Sequence, residues 1–391
     1  MNRKEFLIGK SDLQVAFVSS YPPRHCGVGT FTRALEQVMT SLFLSQPTKI
    51  VALNDQPYRY GNRVIYTIND QDAKSFAKAA QHLNRSPVEV VNLHHEYGLY
   101  GGESGEYILK FYEKIKKPVV TTLHSVLTKH SPKRAWVTQK ILDASASVVV
   151  MTETAKEMLL EIFSIDEEKI EVIPHGVPNI RPNQSDDAKR QLKLDKRFVL
   201  ATFGLLNPGK GVEYALQALP EVINRHADVL YLVIGQTHPV HQRRFGDSYR
   251  NLLEDMADQL GIKRHVKFIN RYLDYRTLIN YLKATDIYLM LQTDPNQAFS
   301  GSAAYALGVG TPIIGTPTPF NREILAAGRG EFVPFEDEYS VRKKLLQLIP
   351  NEPRRKKMSM HSYRYARDMI WPRVALDYVQ TFELTLLNYL K

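Results

Sequence analysis

The sequence predicts an α/β protein of two doubly wound domains, and three observations carry that expectation. Short apolar runs of strand length alternate with amphipathic stretches of helical period along most of the chain. Loops rich in Gly, Pro and hydrogen-bonding side chains follow those runs, which is where open parallel sheets build their sites. The alternation lapses in PNIRPNQSDDAKRQLKLDK, Pro178 to Lys196, and then restarts, so the first domain is read as 1–180 and the second as 190–370.

Composition supports a globular chain with two cores. A length of 391 residues is long for one core and sufficient for two. The chain is 43% hydrophobic and 24% charged, and no apolar run is long enough to span a bilayer. The opening MNRKEFLIGKSDLQ lacks the apolar centre of a secretory signal. Its one cysteine, Cys26, excludes an intrachain disulfide and fits a reducing compartment, so a cytoplasmic protein is expected. The net charge of +10 is scattered, with short clusters at Arg243–Arg244 and Arg354–Lys357, and no nucleic-acid motif accompanies it. Nucleic acid is therefore not an expected partner; peripheral contact with the inner face of an anionic membrane is compatible with the charge. The pattern fixes no oligomeric state.

In the first half, strands are expected at Val15–Ser20, Lys49–Leu53, Val64–Thr67, Val88–Leu93, Val119–Leu123, Val148–Met151 and Ile170–Ile173. Tyr21 to Thr30 reads as a turn in which Gly27 and Gly29 let the backbone approach a ligand, with helix from Phe31 onward on the period of Phe31, Leu35 and Val38. A third glycine, at Thr32, would be needed for the dinucleotide fingerprint, and it is missing. HHEYGLYGGESGEY is expected to be a polar, flexible loop after its strand, and His124 closes the Val119 strand at its carboxyl end. Helices are expected over Ala73–Leu83 and Thr154–Ile162. Asp70 and Asp72 form a DxD pair, read as first-turn caps of the Ala73 helix rather than metal ligands.

In the second half, Phe198 onward is a buried strand followed by the Gly-rich turn NPGKG and an amphipathic helix over Val212–Val222 despite Pro220. Val229–Ile234 ends in Gly235, and Val266–Ile269 ends in Asn270 and Arg271. The stretch DIYLMLQTDPNQAFSGSAAYALGVGTPIIGTP, Asp286 to Pro317, reads as strand, polar loop, small-residue helix over Ala303–Gly308, and strand. A loop feeding a helix N-terminus at a strand's carboxyl end favours an anion, and a nucleotide phosphate suits it. The helix from Trp371 has an apolar face of Val374, Tyr378, Phe382 and Leu386 that needs cover.

Taken in order, YPPRHCGVGTF, HHEYGLYGGESG, TTLHS, IPHGVP, FGLLNPGKG, VIGQTHP and QAFSGSAAYALGVGTPIIGTP resemble the retaining glycosyltransferases of family 4, over nearly the whole chain. The resemblance implies the GT-B fold, two Rossmann-like domains facing a cleft, with the last helix, 371–391, crossing back to the first domain. It implies transfer of a hexosyl group from a nucleotide-diphosphate sugar to the hydroxyl of a sugar or glycan acceptor, with retention, no divalent metal and no cofactor beyond the co-substrate. Residue by residue, it puts Lys210 on the donor diphosphate and His124 beside the transferred sugar as catalytic residues. It gives donor binding to Gly27, Gly29, Gly235, Arg271, Tyr272, Gln297, Ala298, Phe299, Ser300, Gly301 and Ser302, and an acceptor side to Arg24, His95 and Glu96.

The chain departs from that family at informative places. Leu205 stands where an arginine usually precedes the KG turn, and Gln297 and Tyr305 stand where two glutamates flank the sugar loop. Gln297 still donates and accepts hydrogen bonds, whereas Tyr305 cannot take a ribose in the bidentate manner of a carboxylate. Two alternatives follow: a catalytically weak GT-B module that binds a sugar nucleotide or a protein partner, and another GT-B enzyme such as an NDP-sugar epimerase. Cys26 lies beside the glycine loop, but glycosyl transfer needs no thiol and a structural role is expected.

Overall fold

The computed structural model describes residues 10–127, 131–181, 185–296 and 300–391. The chain divides into two compact units, 1–176 with 371–391, and 177–370. The division falls at Gly176 and Val177, just ahead of the polar stretch where the sequence placed it.

Unit 1 contains β1 (Val15–Ser19), α1 (Gly27–Leu42), β2 (Lys49–Asn54), β3 (Val64–Asn69), α2 (Ala73–Asn84), β4 (Val90–His95), α3 (Leu109–Tyr112), β5 (Val119–Leu123), α4 (Pro132–Ala144), β6 (Ser147–Val150), α5 (Glu153–Ile162) and β7 (Ile170–Val172). Among the described residues these seven strands form one parallel sheet in the order β3-β2-β1-β4-β5-β6-β7. The order reverses between β1 and β4, so the loops leaving their carboxyl ends diverge and open a crevice there.

Unit 2 contains α6 (Ser185–Leu192), β8 (Phe198–Phe203), α7 (Val212–Arg225), β9 (Val229–Ile234), α8 (Pro239–Phe245), α9 (Ser248–Gln259), β10 (Val266–Ile269), α10 (Tyr275–Lys283), β11 (Ile287–Met290), α11 (Gly301–Val309), β12 (Ile313–Gly315), α12 (Pro319–Ile324), β13 (Gly330–Phe332), α13 (Glu338–Leu348) and α14 (Glu352–Tyr365). Its parallel sheet runs β10-β9-β8-β11-β12-β13, with the reversal between β8 and β11. Strands such as β9, VLYLVI, and β11, IYLM, read as continuous hydrophobic runs because helices cover both faces of the sheet.

The final helix, α15 (Trp371–Tyr389), belongs to unit 1. Val374, Tyr378 and Phe382 are fully buried, and Trp371 lies 5.3 Å from the Phe31 ring of α1. Leu386, the fourth residue of the expected face, is only half-buried. Burial of each large side chain contributes about 1.5–3 kcal/mol, so α15 supplies a sizeable part of the unit 1 core. Truncation before Trp371 is expected to lower hydrogen-exchange protection in β1, β4 and β5 while β8 to β12 keep theirs. Full protection of the unit 1 strands in the truncated protein would refute that dependence.

Three of the boundaries that differ from the sequence expectation bear on the site. Helix α1 starts at Gly27, not Phe31: Cys26 is extended and its carbonyl accepts the Thr30 N–H at 3.1 Å, so the two glycines sit in the first helical turn. Strand β4 continues through His94 and His95, which are therefore buried strand residues and not part of a solvated loop. Helix α11 opens at Gly301, two residues before Ala303. The DxD pair also divides its roles. Asp72 caps α2 by accepting the Lys74 N–H, as expected, whereas Asp70 is buried and pairs with Arg24 at 3.2 Å instead of capping. Among the described residues no helix is long and apolar enough to cross a membrane.

Candidate functional site

In unit 2 the predicted residues gather at the carboxyl edge of the sheet, on both sides of the β8/β11 reversal. The turn after β8 is built by Asn207, whose side chain accepts the Gly209 N–H at 2.9 Å, and by Gly211, which starts α7 in the left-handed region at φ +59°. A Cβ on Gly211 would lie 2.0 Å from the Leu291 carbonyl oxygen, so only glycine lets the turn seat against the end of β11. Lys210 folds its side chain back over Gly204, where Nζ lies 2.9 Å from the place a Cβ would take.

Lys210 is the chemically distinctive group of this edge. Its side chain is half-buried, and withdrawal from water pulls its pKa down from 10.5 to about 8. Desolvation is the cause of that shift, and no charged or hydrogen-bonding partner among the described residues contributes to it. A cation held out of water without a counter-charge is costly in the ligand-free protein and ready for an anion. Leu205, where the resembling family carries an arginine, brings no second charge.

The loop after β9 is laced to this turn. Leu206 N donates to Gln236 O and His238 N donates to Leu206 O, both at 2.8 Å. His238 is thereby brought near Lys210, and burial followed by the lysine's charge lowers its pKa. Gly235 has φ +134°, and a Cβ there would lie 1.9 Å from Gly204 O, so the two strand ends cross at glycines. Beneath them Arg250 is buried at 3% exposure and donates Nη2 to Gly235 O at 2.7 Å. The sequence reading missed Arg250, although an arginine sharing the apolar stripe of Leu253 and Ala257 was a signal that it serves the interior.

After β11, Ser300 is the N-cap position of α11, and its Oγ lies 3.1 Å from Ser302 Oγ. Gly301 opens the helix, whose first N–H groups form an anion-favouring end. Gln297, Ala298 and Phe299 lie outside the described residues. Arg271 is exposed at the end of β10, and Tyr272 is half-buried beside it. Tyr305 is buried, 5.7 Å from the Tyr275 ring, so it packs within an aromatic group.

Unit 1 presents a different edge, made of aromatic and imidazole rings. Gly27 leaves open space around its Cα, since nothing lies within 4 Å of an added Cβ. Gly29 instead allows close packing, because a Cβ would meet the Ser20 backbone at 3.2 Å. From β4 come His94 and His95, with Glu96 just after it; His124 follows β5, and His175 follows β7. Phe31 stands among them, with ring centroids of His124 and His175 each at 5.0 Å. Burial lowers the pKa of His94 to about 3 and of His95 and His175 to about 4, and it holds His124 well below 6.5, so all four imidazoles are neutral at pH 7.

The acceptor-side residues are not equally placed. Glu96 accepts Ser125 Oγ–H at 2.6 Å and Tyr97 N–H at 2.9 Å, and burial raises its pKa against those bonds. His95 is buried against Tyr100, and its Nδ1 has no hydrogen-bond partner among the described residues. Arg24 is committed internally: it donates to Leu53 O at 2.9 Å and pairs with Asp70 and Asp55, a role that ties the loop after β1 to β2 and β3. The structure therefore brings His95, Glu96 and His124 together and gives Arg24 a structural duty. Sequence reading passed over Asn92, His94, His175 and Trp371; polar residues inside the apolar run VVNLHH were the available signal.

Comparison with known proteins gives the family and the fold. The family described as "Glycosyltransferase Family 4" matches residues 48–179, and the one described as "Glycosyl transferases group 1" matches residues 183–365. An uncharacterized glycosyltransferase of Methanocaldococcus jannaschii is 27% identical over 178 residues, 44% of this chain and 42% of the relative. The chain thus spans less than half the length of that relative. Among solved structures, sucrose-phosphate synthase from Thermosynechococcus elongatus superposes with a TM-score of 0.78 at 16% identity, covering 96% of this chain and 100% of the other. HepE of Anabaena, in complex with UDP and glucose, gives a TM-score of 0.76 at 14% identity, covering 95% of this chain and 99% of the other. Matched along both units, the chain belongs to the group 1 glycosyltransferases and has the GT-B fold.

Proposed function

We propose that this protein transfers a hexosyl group from a nucleotide-diphosphate sugar to an acceptor hydroxyl, with retention at the anomeric carbon and without a divalent metal. The observation that carries the reading is Lys210, a desolvated ammonium with no counter-charge among the described residues, at the reversal point of the unit 2 sheet. As the glycosidic bond breaks, negative charge grows on the leaving diphosphate, and a preorganised cation stabilises that charge more than it stabilises the ground state. The N-terminus of α11, with Ser300 and Ser302, adds N–H and hydroxyl donors to the same edge. Together these take the part that a metal plays elsewhere.

In this reading the donor lies on unit 2, with Gly235, Arg271 and Tyr272 toward the base. Unit 1 offers Gly27, Glu96 and His124 to sugar hydroxyls, and a sugar or glycan is the acceptor. UDP is the first nucleotide to try, because a solved structure of this fold holds UDP and glucose.

A panel of UDP-, GDP- and ADP-hexoses, assayed with and without chelator, tests the proposal. The expected result is turnover with one nucleotide class, unchanged by chelator, giving a product of the donor's anomeric configuration by NMR. Binding without turnover would turn the chain into a sugar-nucleotide module. Activity lost to chelator and regained with magnesium would overturn metal independence.

A further inference from the structure

Away from Lys210, unit 2 encloses a second concentration of charge, around a cavity of about 630 Å³ that falls in the usual size range of small-molecule sites. It lies at the amino edge of the sheet. Thr285 and Asp286 come just before β11, Thr311 and Pro312 just before β12, and all four line the cavity. Lys210 and Ser300 instead follow the carboxyl ends of β8 and β11, so the length of the strands separates the two places.

The lining carries five cationic side chains against three carboxylates, an excess of two positive charges. Two of the carboxylates are matched at short range: Asp286 accepts Lys189 Nζ at 2.6 Å and Val199 N–H at 2.7 Å, and Glu352 pairs with Lys356 at 2.7 Å. The third, Asp186, is exposed, where water and salt screen it. Arg355 is held in place from within the protein, since Nη1 donates to Leu348 O at 2.6 Å and to Ile349 O while the guanidinium lies 4.9 Å from the Phe198 ring centroid. Such a fixed cation loses little freedom on taking an anion. Arg181 is exposed and, among the described residues, forms no ion pair. Of the hydroxyls, Thr285 and Thr311 give their protons to Tyr281 O and Leu282 O at 2.8 and 3.1 Å, whereas Ser359 Oγ has no hydrogen-bond partner among the described residues.

We propose that this cavity is a second anion site, separate from the donor edge, and that it takes the phosphate group of a small molecule or of a lipid headgroup on Arg181, Arg355 and Ser359. A phosphate presents several acceptor oxygens at once, so guanidinium and hydroxyl donors engage it together, and guanidinium matches it in geometry as well as charge. The excess of positive charge favours the same ligand. The site stands whether or not Lys210 holds a sugar-nucleotide diphosphate.

Calorimetric titration of inorganic pyrophosphate into the full chain tests this, with Lys210→Ala as the background that removes the anion site of the other edge. Binding is expected to persist in Lys210→Ala. Adding Arg181→Gln to that background should weaken it about tenfold, the scale of one charge-assisted hydrogen bond, and adding Ser359→Asp, which sets a carboxylate against the phosphate, should abolish it. Loss of all pyrophosphate binding in Lys210→Ala, or binding moved by neither second substitution, would overturn the site. Should Ser359→Asp fail to fold, Arg181→Gln, an exposed substitution, decides. Sedimentation with phosphatidylcholine vesicles, with and without phosphatidylglycerol, separates the two sources of phosphate. Vesicle binding that needs phosphatidylglycerol, is lost in Arg181→Gln and is competed by pyrophosphate assigns the site to a headgroup. Pyrophosphate binding without vesicle binding assigns it to a soluble phosphate.

Discussion

Lys210→Ala is expected to lower kcat by about a hundredfold or more and, at the same time, to leave the ligand-free protein no less stable. The two effects share one cause. Removing a preorganised charge from a developing anion forfeits transition-state stabilisation on the scale seen for deleted oxyanion donors, about 3–4 kcal/mol. In the absence of ligand that same ammonium is held out of water, which is why its pKa falls to about 8. Both folded and unfolded chains are protonated at pH 7, so the charged form costs the native state free energy there. After allowance for partial exposure, alanine recovers on the order of 1–2 kcal/mol. A second consequence is a pH limit: donor affinity needs the ammonium, so kcat/KM should fall as pH rises through about 8. Kinetics of wild type and variant against a UDP-hexose, with thermal unfolding of both, supply the comparison. Unchanged turnover, or activity and stability falling together, would sink the assignment.

The glycine turn that carries Lys210 was legible in the sequence because it is local. Gly209, Lys210 and Gly211 are neighbours in the chain, and the requirement for glycine at Gly211 comes from the adjacent strand end. The same holds for the alternation of strands and helices and for the buried stripe of α15, where period alone points to Val374, Tyr378 and Phe382. The start of α1 was not legible. Its N-cap, Cys26, makes no side-chain capping bond, so the usual Ser, Thr, Asp or Asn signal is absent.

The interior of the unit 1 site was hidden for a different reason. Thr32 meets His94 across 62 residues, and Thr122 meets Tyr378 across 256. No window of sequence contains both members of such a pair, so His94 reads as one more polar residue of a loop. Asp70 illustrates the same point: beside Asp72 it looks like a cap or a metal ligand, and its actual partner, Arg24, lies 46 residues away.

Burying four imidazoles in one edge has a large thermodynamic consequence, and acid is expected to unfold unit 1 well above the pH at which carboxylates titrate. The unfolded chain binds protons on these histidines as pH falls through about 6.5, whereas in the folded protein His95 and His175 resist until about 4 and His94 until about 3. Over that window the unfolded state holds more protons, so stability rises with pH and is lost on acidification. At pH 5 each such histidine costs roughly 2 kcal/mol, and these three together on the order of 6 kcal/mol, which rivals the whole stability of an ordinary domain. His124 acts in the same direction. Acid-labile ion pairs such as Glu106 with Lys133 act lower, because the Glu106 carboxyl titrates at about 2 when folded and in the ordinary carboxylate range when unfolded. The interval from pH 6.5 to 4.5 therefore belongs chiefly to histidine. Burial raises the carboxyls of Glu96 in unit 1 and Asp286 in unit 2, and a raised carboxyl gives up stability as pH rises rather than as it falls; unit 2 sets His238, lowered by burial, against the four imidazoles of unit 1. Hydrogen exchange should accordingly show β4 and β5 losing protection between pH 6.5 and 4.5 while β8, β9 and β11 hold theirs. Fluorescence of Trp371, packed 5.7 Å from His175, gives an independent reading of the same transition. A flat stability profile across that interval would mean that the imidazoles find protonated, solvated positions without unfolding, and the buried neutral cluster would have to be abandoned.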